Sequence, residues 1–162
     1  MSVNGDRLRR VVGNFSTGVN VVTLARDPPH GLTANAFTSV SLDPPLVLVS
    51  VDHETKTYEL LESGEVDGFC VNILSADQQF LGEYFAGMAD DEESPFESEA
   101  TTTGPTGAVI FEESLAYIDC EVYDAVEQGD HTLYIGEVQG ADVLSEDAEA
   151  LTFFRGEWGS LA

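Results

Sequence analysis

The run GDHTLYIGEV, residues 129–138, carries the most specific structural pattern in this sequence. Its Gly-Asp pair is typical of a tight turn, and the residues that follow are rich in β-branched and aromatic side chains. The run therefore predicts a strand that begins at His131 and continues to residue 144. Another β-rich run, residues 115–123, precedes the turn.

Most of the chain outside this run has the same β-rich texture. The pairs Pro28-Pro29 and Pro44-Pro45 mark turns between short runs of apolar and β-branched residues. These runs cover residues 19–24, 31–37, 39–42, 46–51, 69–74 and 108–111, and a last segment covers 151–158. Many short strands with few helices favour an antiparallel barrel.

Three short helices are predicted among these strands. Asp6 is a candidate N-cap for the first, whose apolar face we expect to close one end of the barrel. Arg7, Arg9 and Arg10 should point away from that face, which consists of Leu8, Val11, Val12 and Phe15. Residues 57–63 predict a brief second helix, and residues 76–86 predict an amphipathic third helix.

Residues 87–107 interrupt the pattern. They contain the acidic tract 90–93 and the small-residue tract 101–107, which together predict a long loop. Loops of this length in compact domains are often lids or binding loops, so we expect a lid here.

Acidic residues dominate the composition. The chain has 30 Asp and Glu against 6 Lys and Arg, a net charge of -24, while 43% of its residues are hydrophobic. Nucleic acids and anionic membranes are bound by clusters of Lys and Arg, so both are excluded as main partners. Repulsion of this strength loosens a compact chain unless salt screens it, which predicts a halophilic source.

The two cysteines, Cys70 and Cys120, lie in strand-like segments, and we expect both to be reduced, half-buried thiols. They are too few for a zinc site, and no spacing of metal ligands occurs. The N-terminus has no apolar signal region, and no run reaches about 18 apolar residues. These features predict a single cytoplasmic domain over residues 1–162.

Residues 31–41, GLTANAFTSVS, are the first candidate binding segment. Hydroxyls, an amide and small side chains crowd into an otherwise apolar pair of strands, which leaves backbone and neutral donors exposed. This composition suits a flat ligand with polar edges. It also suits a plain sheet edge rich in Thr and Ser.

Residues 50–58, SVDHETKTY, are the second candidate, because a strand ends and a helix begins there. Helix N-termini present unpaired N–H groups to anions, and Thr55 and Thr57 add hydroxyls. Lys56 is the only lysine in the chain, which favours a phosphate contact over a solvated side chain beside an N-cap. No GxGxxG or P-loop pattern occurs, so the site is neither a Rossmann nor a Walker site.

His131 is the third candidate. A single histidine is more often structural than active, and His30 and His53 share this ambiguity. No Ser-His-Asp arrangement occurs.

Taken in order, these segments resemble the flavin reductase family of the FMN-binding split barrel. FSTGVNVVT (15–23) is similar to the first barrel strand of the family. Residues 31–42, followed by PPLVL (44–48), are similar to the strands that hold the flavin in this family. VNIL (71–74), residues 78–86 and GDHTLYIGEV continue in the expected order. The resemblance implies a mainly β (α+β) fold, an antiparallel Greek-key split β-barrel with a few short helices.

The same resemblance implies the site. Thr33, Ala34 and Asn35 would contact the isoalloxazine and ribityl chain of FMN. His131 would lie beside the nicotinamide, where a neutral imidazole donates one hydrogen bond and accepts another. The ribityl chain and phosphate would be held by Ser39, Val40, Ser41, Ser50, Val51, Thr55, Lys56 and Thr57. A homodimer with FMN near its interface is also implied.

Two features depart from the family pattern. The acidic segment 52–54 stands where basic or hydroxyl residues are common, and Trp158 stands where Tyr is usual.

The implied reaction is hydride transfer from NADH or NADPH to the flavin, with electrons passed to an acceptor or a partner oxygenase. The flavin carries the chemistry, and the protein supplies orientation and excludes water. Ferric reduction and oxidation of a phosphorylated pyridoxine vitamer are alternatives on the same fold. The vitamer is disfavoured because a second phosphate calls for Arg or Lys. A flavin-binding or electron-storage protein without turnover is the alternative outside enzymes.

Overall fold

A computed structural model describes residues 2–89 and 93–162. A helix opens the chain, short strands follow it, and long strands dominate the second half. In order, the elements are α1 (Gly5–Val12), β1 (Thr17–Gly18), β2 (Asn20–Leu24), β3 (Gly31–Ala34), β4 (Phe37–Leu42), β5 (Pro45–Asp52), α2 (Lys56–Glu62), β6 (Gly68–Ile73), a 3₁₀ turn (Ala76–Gln78), α3 (Gln79–Phe85), α4 (Pro95–Ser98), β7 (Thr101–Thr103), β8 (Val109–Phe111), β9 (Ala116–Gln128), β10 (His131–Val143), β11 (Ala150–Phe154) and β12 (Glu157–Leu161).

Seven antiparallel strands form the main sheet, in the order β3-β2-β6-β9-β10-β5-β4. Its two edge strands, β3 and β4, are separated in sequence by only Asn35 and Ala36. So short a connection spans at most about 11 Å, which forces the sheet to curl until its edges meet. No strand pairing closes the gap between them within the described residues. We call this open line the seam.

The predicted fold class is therefore confirmed as a mostly antiparallel β architecture with a few short helices and a sheet that is not closed. Apolar side chains from both halves of the sheet pack together inside the curl. Among them are Leu24, Val49, Phe69, Val71 and Tyr134, all almost completely buried.

Gly136 shows why the run 129–138 is so specific. A Cβ at this position would lie 2.7 Å from the Phe69 ring and 2.6 Å from the Cβ of Cys120. Side chains do not approach that closely, so only glycine lets β10 pass over this part of the core.

A second core cluster lies outside the curl, between the end of the sheet and the hairpin of β11 and β12. Val19, Leu74, Leu81, Phe111 and Leu151 are buried there. Phe96 of α4 packs against this cluster, with its ring 5.5 Å from that of Phe111 and 5.2 Å from that of Phe85.

The prediction of one long loop over residues 87–107 is wrong for much of that segment, because the segment contains a short helix and a strand. Ser94 accepts a hydrogen bond from the Phe96 N–H and Pro95 follows it, so a short helix starts there. The threonine tract forms β7 and pairs with β8. Most of the acidic tract, residues 90–92, lies outside the described residues. A lid in this segment stays a prediction.

Three other predicted elements differ from the structure. The run 31–37 is not one strand, because the chain turns across the seam at Asn35 and Ala36. The helix predicted at 76–86 divides into a 3₁₀ turn and α3, and the last segment is a hairpin rather than one run. The hairpin turns at Arg155 and Gly156, whose φ angles are 52° and 77°.

The prediction for α1 is wrong in its packing. Leu8, Val11 and Val12 are 56%, 61% and 56% exposed, so the apolar face of the helix does not close the barrel. The helix is attached instead at its C-terminal end, where Gly13 O accepts a hydrogen bond from the Arg155 N–H at 2.9 Å. Among the described helices, none is long and apolar enough to cross a membrane.

Candidate flavin site

The seam brings the first two candidate segments together. Ser50 of β5 donates its N–H to Ala36 O at 3.0 Å, which ties the turn between β3 and β4 to β5, the strand next to the edge strand β4. Asn35 is exposed beside this contact, and Ser50 is half-buried. The predicted flavin residues Asn35 and Ser50 are thus neighbours, although β3 and β5 are not paired strands.

The side chains of Thr33 and Val51 already have partners within the folded protein. Thr33 donates its hydroxyl to Gly82 O at 2.7 Å, and Val51 is buried in the core. Ala34 is also buried, and its carbonyl accepts from the Asn20 amide at 3.2 Å.

The first turn of α2 follows directly from the end of β5. Thr55 caps the helix, since its Oγ1 accepts from the Tyr58 N–H at 3.2 Å and donates to Asp52 O at 2.8 Å. Lys56 is exposed, and its Nζ lies 3.5 Å from Glu59 Oε2. The prediction of a strand end followed by a helix start is correct here.

Thr57 is fully buried, and its Oγ1 lies 2.8 Å from His30 Nε2. Burial lowers the pKa of His30, and the nearby positive charges of Arg26 and Lys56 lower it further. His30 therefore belongs to the surroundings of α2, a role that sequence reasoning did not assign. We call Arg26, His30 and Lys56 the lysine end of the site.

His131 stands at the start of β10, opposite Asp52 of β5. Its Nδ1 lies 2.8 Å from Asp130 Oδ1, and this hydrogen bond lowers the pKa of Asp130. The neighbouring His53 donates its backbone N–H to Asp130 O and has Nε2 at 2.9 Å from Thr132 Oγ1. The predicted nicotinamide residue thus lies next to the strand end that leads to Lys56.

The predicted contacts Ser39, Val40 and Ser41 lie elsewhere along the sheet. They follow the edge strand β4, where Ser39 is opposite Val47 and Ser41 is opposite Leu46. From Val47 to Asp52 is five residues of strand, or about 17 Å. The structure therefore separates these residues from the start of α2.

A cavity that sequence reasoning missed opens beside the seam. It has a volume of about 360 Å³, and Asn35, Ala36 and Phe37 form part of its wall together with Phe15 and Phe153. Arg9 and Arg155 also line it. No local signal in the sequence marks this cavity, because its wall combines α1, the seam turn and the last hairpin.

One known protein family covers nearly the whole of this fold. The Flavin reductase like domain matches residues 12–162. The chain belongs to this family.

Relatives and solved structures agree with this assignment to the flavin reductase family. An NADH-dependent flavin reductase of Rhodococcus is 37% identical over 95% of this chain and 85% of its own length. An NADH-dependent FAD reductase of Streptomyces globisporus is 38% identical over 82% of this chain and 72% of its own. A reductase subunit of a flavin-dependent monooxygenase, HsaB of Rhodococcus jostii, is 32% identical over 97% and 78%.

Two solved flavin reductases share the fold. The flavin reductase PheA2 superimposes with a TM-score of 0.88 at 37% identity, over 99% of both chains. The S. globisporus NADH:FAD oxidoreductase SgcE6, in complex with NAD and FAD fragments, gives a TM-score of 0.86 at 35% identity, over 100% of this chain and 97% of that one. The predicted fold and the predicted function are confirmed: the chain is a flavin reductase, an oxidoreductase.

The cysteines of this flavin reductase take no part in the site. Cys70 and Cys120 are free and buried. Burial, with the nearby charge of Asp119, raises the pKa of Cys120 to about 12 and that of Cys70 further. Both therefore remain neutral thiols. In the described part of the chain, no three His, Cys, Asp or Glu residues are placed to hold a metal ion.

Proposed function

We propose that this chain binds FMN along the seam and that NADH or NADPH reduces the bound flavin. One observation carries the proposal: a continuous polar strip runs from Asn35 and Ala36 through Ser50 to Asp52 and the first turn of α2. A flat, polar-edged ring fits one end of such a strip, and a phosphate fits the other.

The charges of the chain fit a phosphate at the lysine end. A chain of net charge -24 repels a phosphate unless positive groups stand close to it. Lys56 and Arg26 both lie near His30, close enough to lower its pKa. The N–H groups of Lys56 and Thr57 are in the first turn of α2, which has no intrahelical acceptor for them.

One phosphate cannot reach both candidate phosphate segments, because about 17 Å of strand separates them. We assign it to Thr55, Lys56 and Thr57, through Lys56 and backbone N–H groups, since both threonine hydroxyls already have protein partners. Ser39, Val40 and Ser41 then contact flavin atoms on the far side of Ser50, and Val51 offers only its backbone.

Bound FMN would supply the redox chemistry, by accepting a hydride from the nicotinamide. Thr33, Ala34 and Asn35 orient the ring with backbone groups and with the Asn35 amide. Asp130 accepts a hydrogen bond from Nδ1 of His131, so in a neutral imidazole Nε2 is free to accept from the nicotinamide carboxamide.

FAD is the second candidate flavin, since one relative is named an NADH-dependent FAD reductase. Titrating FMN and FAD separately into flavin-free protein decides between them. A Kd for FAD at least tenfold below that for FMN would make FAD the flavin.

We further infer that the reductase is a homodimer that passes electrons to an oxygenase. HsaB is named a reductase subunit of a monooxygenase, which supports the oxygenase partner. The exposed Leu8 and Val11 of α1, which line neither cavity, support the dimer, because an apolar face of this kind is usually covered in an assembly. Light scattering in molar salt measures the oligomeric state.

A single FMN-binding domain over residues 1–162, a cytoplasmic location and a halophilic source complete the proposal. The excess of 30 acidic over 6 basic residues supports the halophilic source. Ferric reduction and electron storage without turnover are the alternatives that membership of the flavin reductase family disfavours. Anaerobic bleaching of the bound flavin by NADH separates a reductase from a protein that only binds flavin.

A further inference from the structure

The six basic residues of this acidic chain lie in two places. Arg26 and Lys56 belong to the lysine end. The other four are Arg7, Arg9 and Arg10 on α1 and Arg155 at the turn between β11 and β12. Because 30 acidic residues cover the chain, a site that collects arginines from distant parts of the sequence requires an explanation.

Three of these arginines line one cavity of about 710 Å³. Arg9 and Arg10 enter it from α1, Arg155 enters from the last hairpin, and Asp6 is the single acidic residue in its wall. The net charge of the wall is therefore positive. We call this space the arginine cavity.

The arginine cavity adjoins the apolar cavity beside the seam. Both are lined by Arg9, Gly13, Arg155 and Gly156. A ligand that lies across the two would contact the Phe15, Phe37 and Phe153 rings on one side and three guanidinium groups on the other. That is the pattern for a flat ring joined to a multiply charged anion.

Arg155 is held in place by its surroundings. Its N–H donates to Gly13 O, and its Nε donates to Asn14 Oδ1, both at 2.9 Å. Its φ of 52° is unfavourable for a residue with a Cβ, and such conformations persist where the neighbouring structure imposes them. Of the three guanidinium nitrogens of Arg155, only Nε has a hydrogen-bond partner among the described residues. Both Nη groups are therefore available to a ligand.

The helix dipole offers a simpler explanation for part of the cluster. Arg9 and Arg10 are in the last turn of α1, where positive charge is favourable. Arg155 belongs to a different element, so the dipole does not explain it. The ion pair between Arg9 and Asp6 is 3.4 Å long with both side chains exposed, and such pairs contribute little.

We propose that the arginine cavity binds the diphosphate of the nicotinamide dinucleotide, and that the nicotinamide extends from there through the apolar cavity, past Asn35 and along the seam towards His131. This rests on the proposed function, which places the flavin ring at Asn35. The diphosphate of FAD does not fit here, because it continues from the flavin phosphate at the lysine end. The protein then has two anion sites, one at each end of the polar strip. The lysine end binds the flavin phosphate, and the arginine cavity binds the diphosphate of the nicotinamide dinucleotide.

The test uses three variants. Arg9→Gln removes an exposed guanidinium from the wall of both cavities. Arg155→Gly removes the other shared guanidinium, relieves the positive φ and keeps the backbone N–H that donates to Gly13 O. Arg7→Gln is the matched control, because Arg7 lies on α1 and carries the same charge but lines neither cavity.

The Kd of NAD⁺ for the FMN-loaded protein is measured at one fixed salt concentration. Arg9→Gln and Arg155→Gly should each weaken NAD⁺ binding by about tenfold, the low end for a charge-assisted hydrogen bond. Arg7→Gln should change it by less than about twofold, and the Kd of FMN should be the same in all variants. Equal weakening by all three variants would overturn the proposal. The loss would then come from the change in the net charge of the protein and not from contacts in the cavity.

Two further titrations separate the possible sources of failure. If FAD binding weakens in Arg155→Gly while NAD⁺ binding does not, the diphosphate in the cavity belongs to the flavin and the assignment is overturned. ADP-ribose carries the diphosphate without the nicotinamide, so its binding to flavin-free protein tests the arginine cavity alone. Arg155→Gly should weaken this binding as well. Failure of the wild type to bind FMN would instead refute the proposed function.

Discussion

His30 Nε2 lies 2.8 Å from Thr57 Oγ1, and this contact joins the turn before β3 to the first turn of α2. It connects β3, which contains two of the residues assigned to the flavin ring, with the first turn of α2, which is assigned to the phosphate. Because Thr57 is fully buried, its hydroxyl is paired with the imidazole rather than with bulk solvent.

The contact predicts a dependence of stability on pH. The pKa of His30 is lower in the fold than its ordinary value, so the unfolded chain binds the proton more readily between the two values. The contribution of His30 is complete above pH of about 6.5 and is lost as the pH falls through the lowered pKa. Melting temperatures between pH 8 and 5 should therefore fall less steeply for His30→Gln than for wild type. Parallel curves would show that His30 does not couple to folding.

Lys56 should discriminate between flavins by their phosphate. Its ammonium is exposed and shares only a 3.5 Å ion pair with Glu59, so it remains free to contact an anion. Lys56→Ala should weaken FMN binding by about tenfold, within the range for a charge-assisted hydrogen bond, and leave riboflavin binding unchanged.

Titration of both flavins into wild type, Lys56→Ala and Arg7→Gln, at one salt concentration, measures this effect. Arg7→Gln removes the same charge away from the site. An equal loss for FMN and riboflavin, or no loss for either, would make Lys56 a surface residue only.

His131 should act on the nicotinamide rather than on the flavin. In a neutral imidazole with Nδ1–H donating to Asp130, Nε2 is an acceptor. His131→Ala should keep the flavin bound, raise the KM for the nicotinamide and slow flavin reduction. Asp130→Asn should show a smaller change in the same direction, because it frees the imidazole without removing it. Loss of flavin with normal reduction of the remaining holoprotein would rule out this role.

The charge of -24 should make stability depend on salt. Salt at about 1 M shortens the Debye length to about 3 Å and screens the repulsion between carboxylates. The melting temperature and the dimer fraction should both fall as KCl is reduced from molar to millimolar concentration. A melting temperature that does not change over this series would contradict the halophilic interpretation.

Much of the fold was predictable because its signals are local. Proline pairs and Gly129-Asp130 mark turns, and β-rich runs between them identify most of the strands. The strand predicted over 31–37 is wrong at its end, since nothing local separates β3 from β4. The break at Asn35 and Ala36 exists because the curled sheet must bring its edges together, and that is a property of all seven strands.

The site divides in the same way. Lys56 and the start of α2 are visible in the sequence, because a strand end and a helix cap lie next to each other. The role of His30 beside Thr57 was not visible, and neither was Arg155 beside Arg9. In each pair, elements far apart in the sequence meet only after folding.

The most direct test of the central claim is anaerobic stopped-flow reduction of the FMN-loaded protein by NADH and by NADPH in molar salt. If the seam is a reductase site, the flavin absorbance bleaches in a single exponential phase whose rate rises with nicotinamide concentration and then saturates. Full occupancy by FMN with no bleaching by either nicotinamide would contradict a reductase site at the seam and identify a protein that only binds flavin.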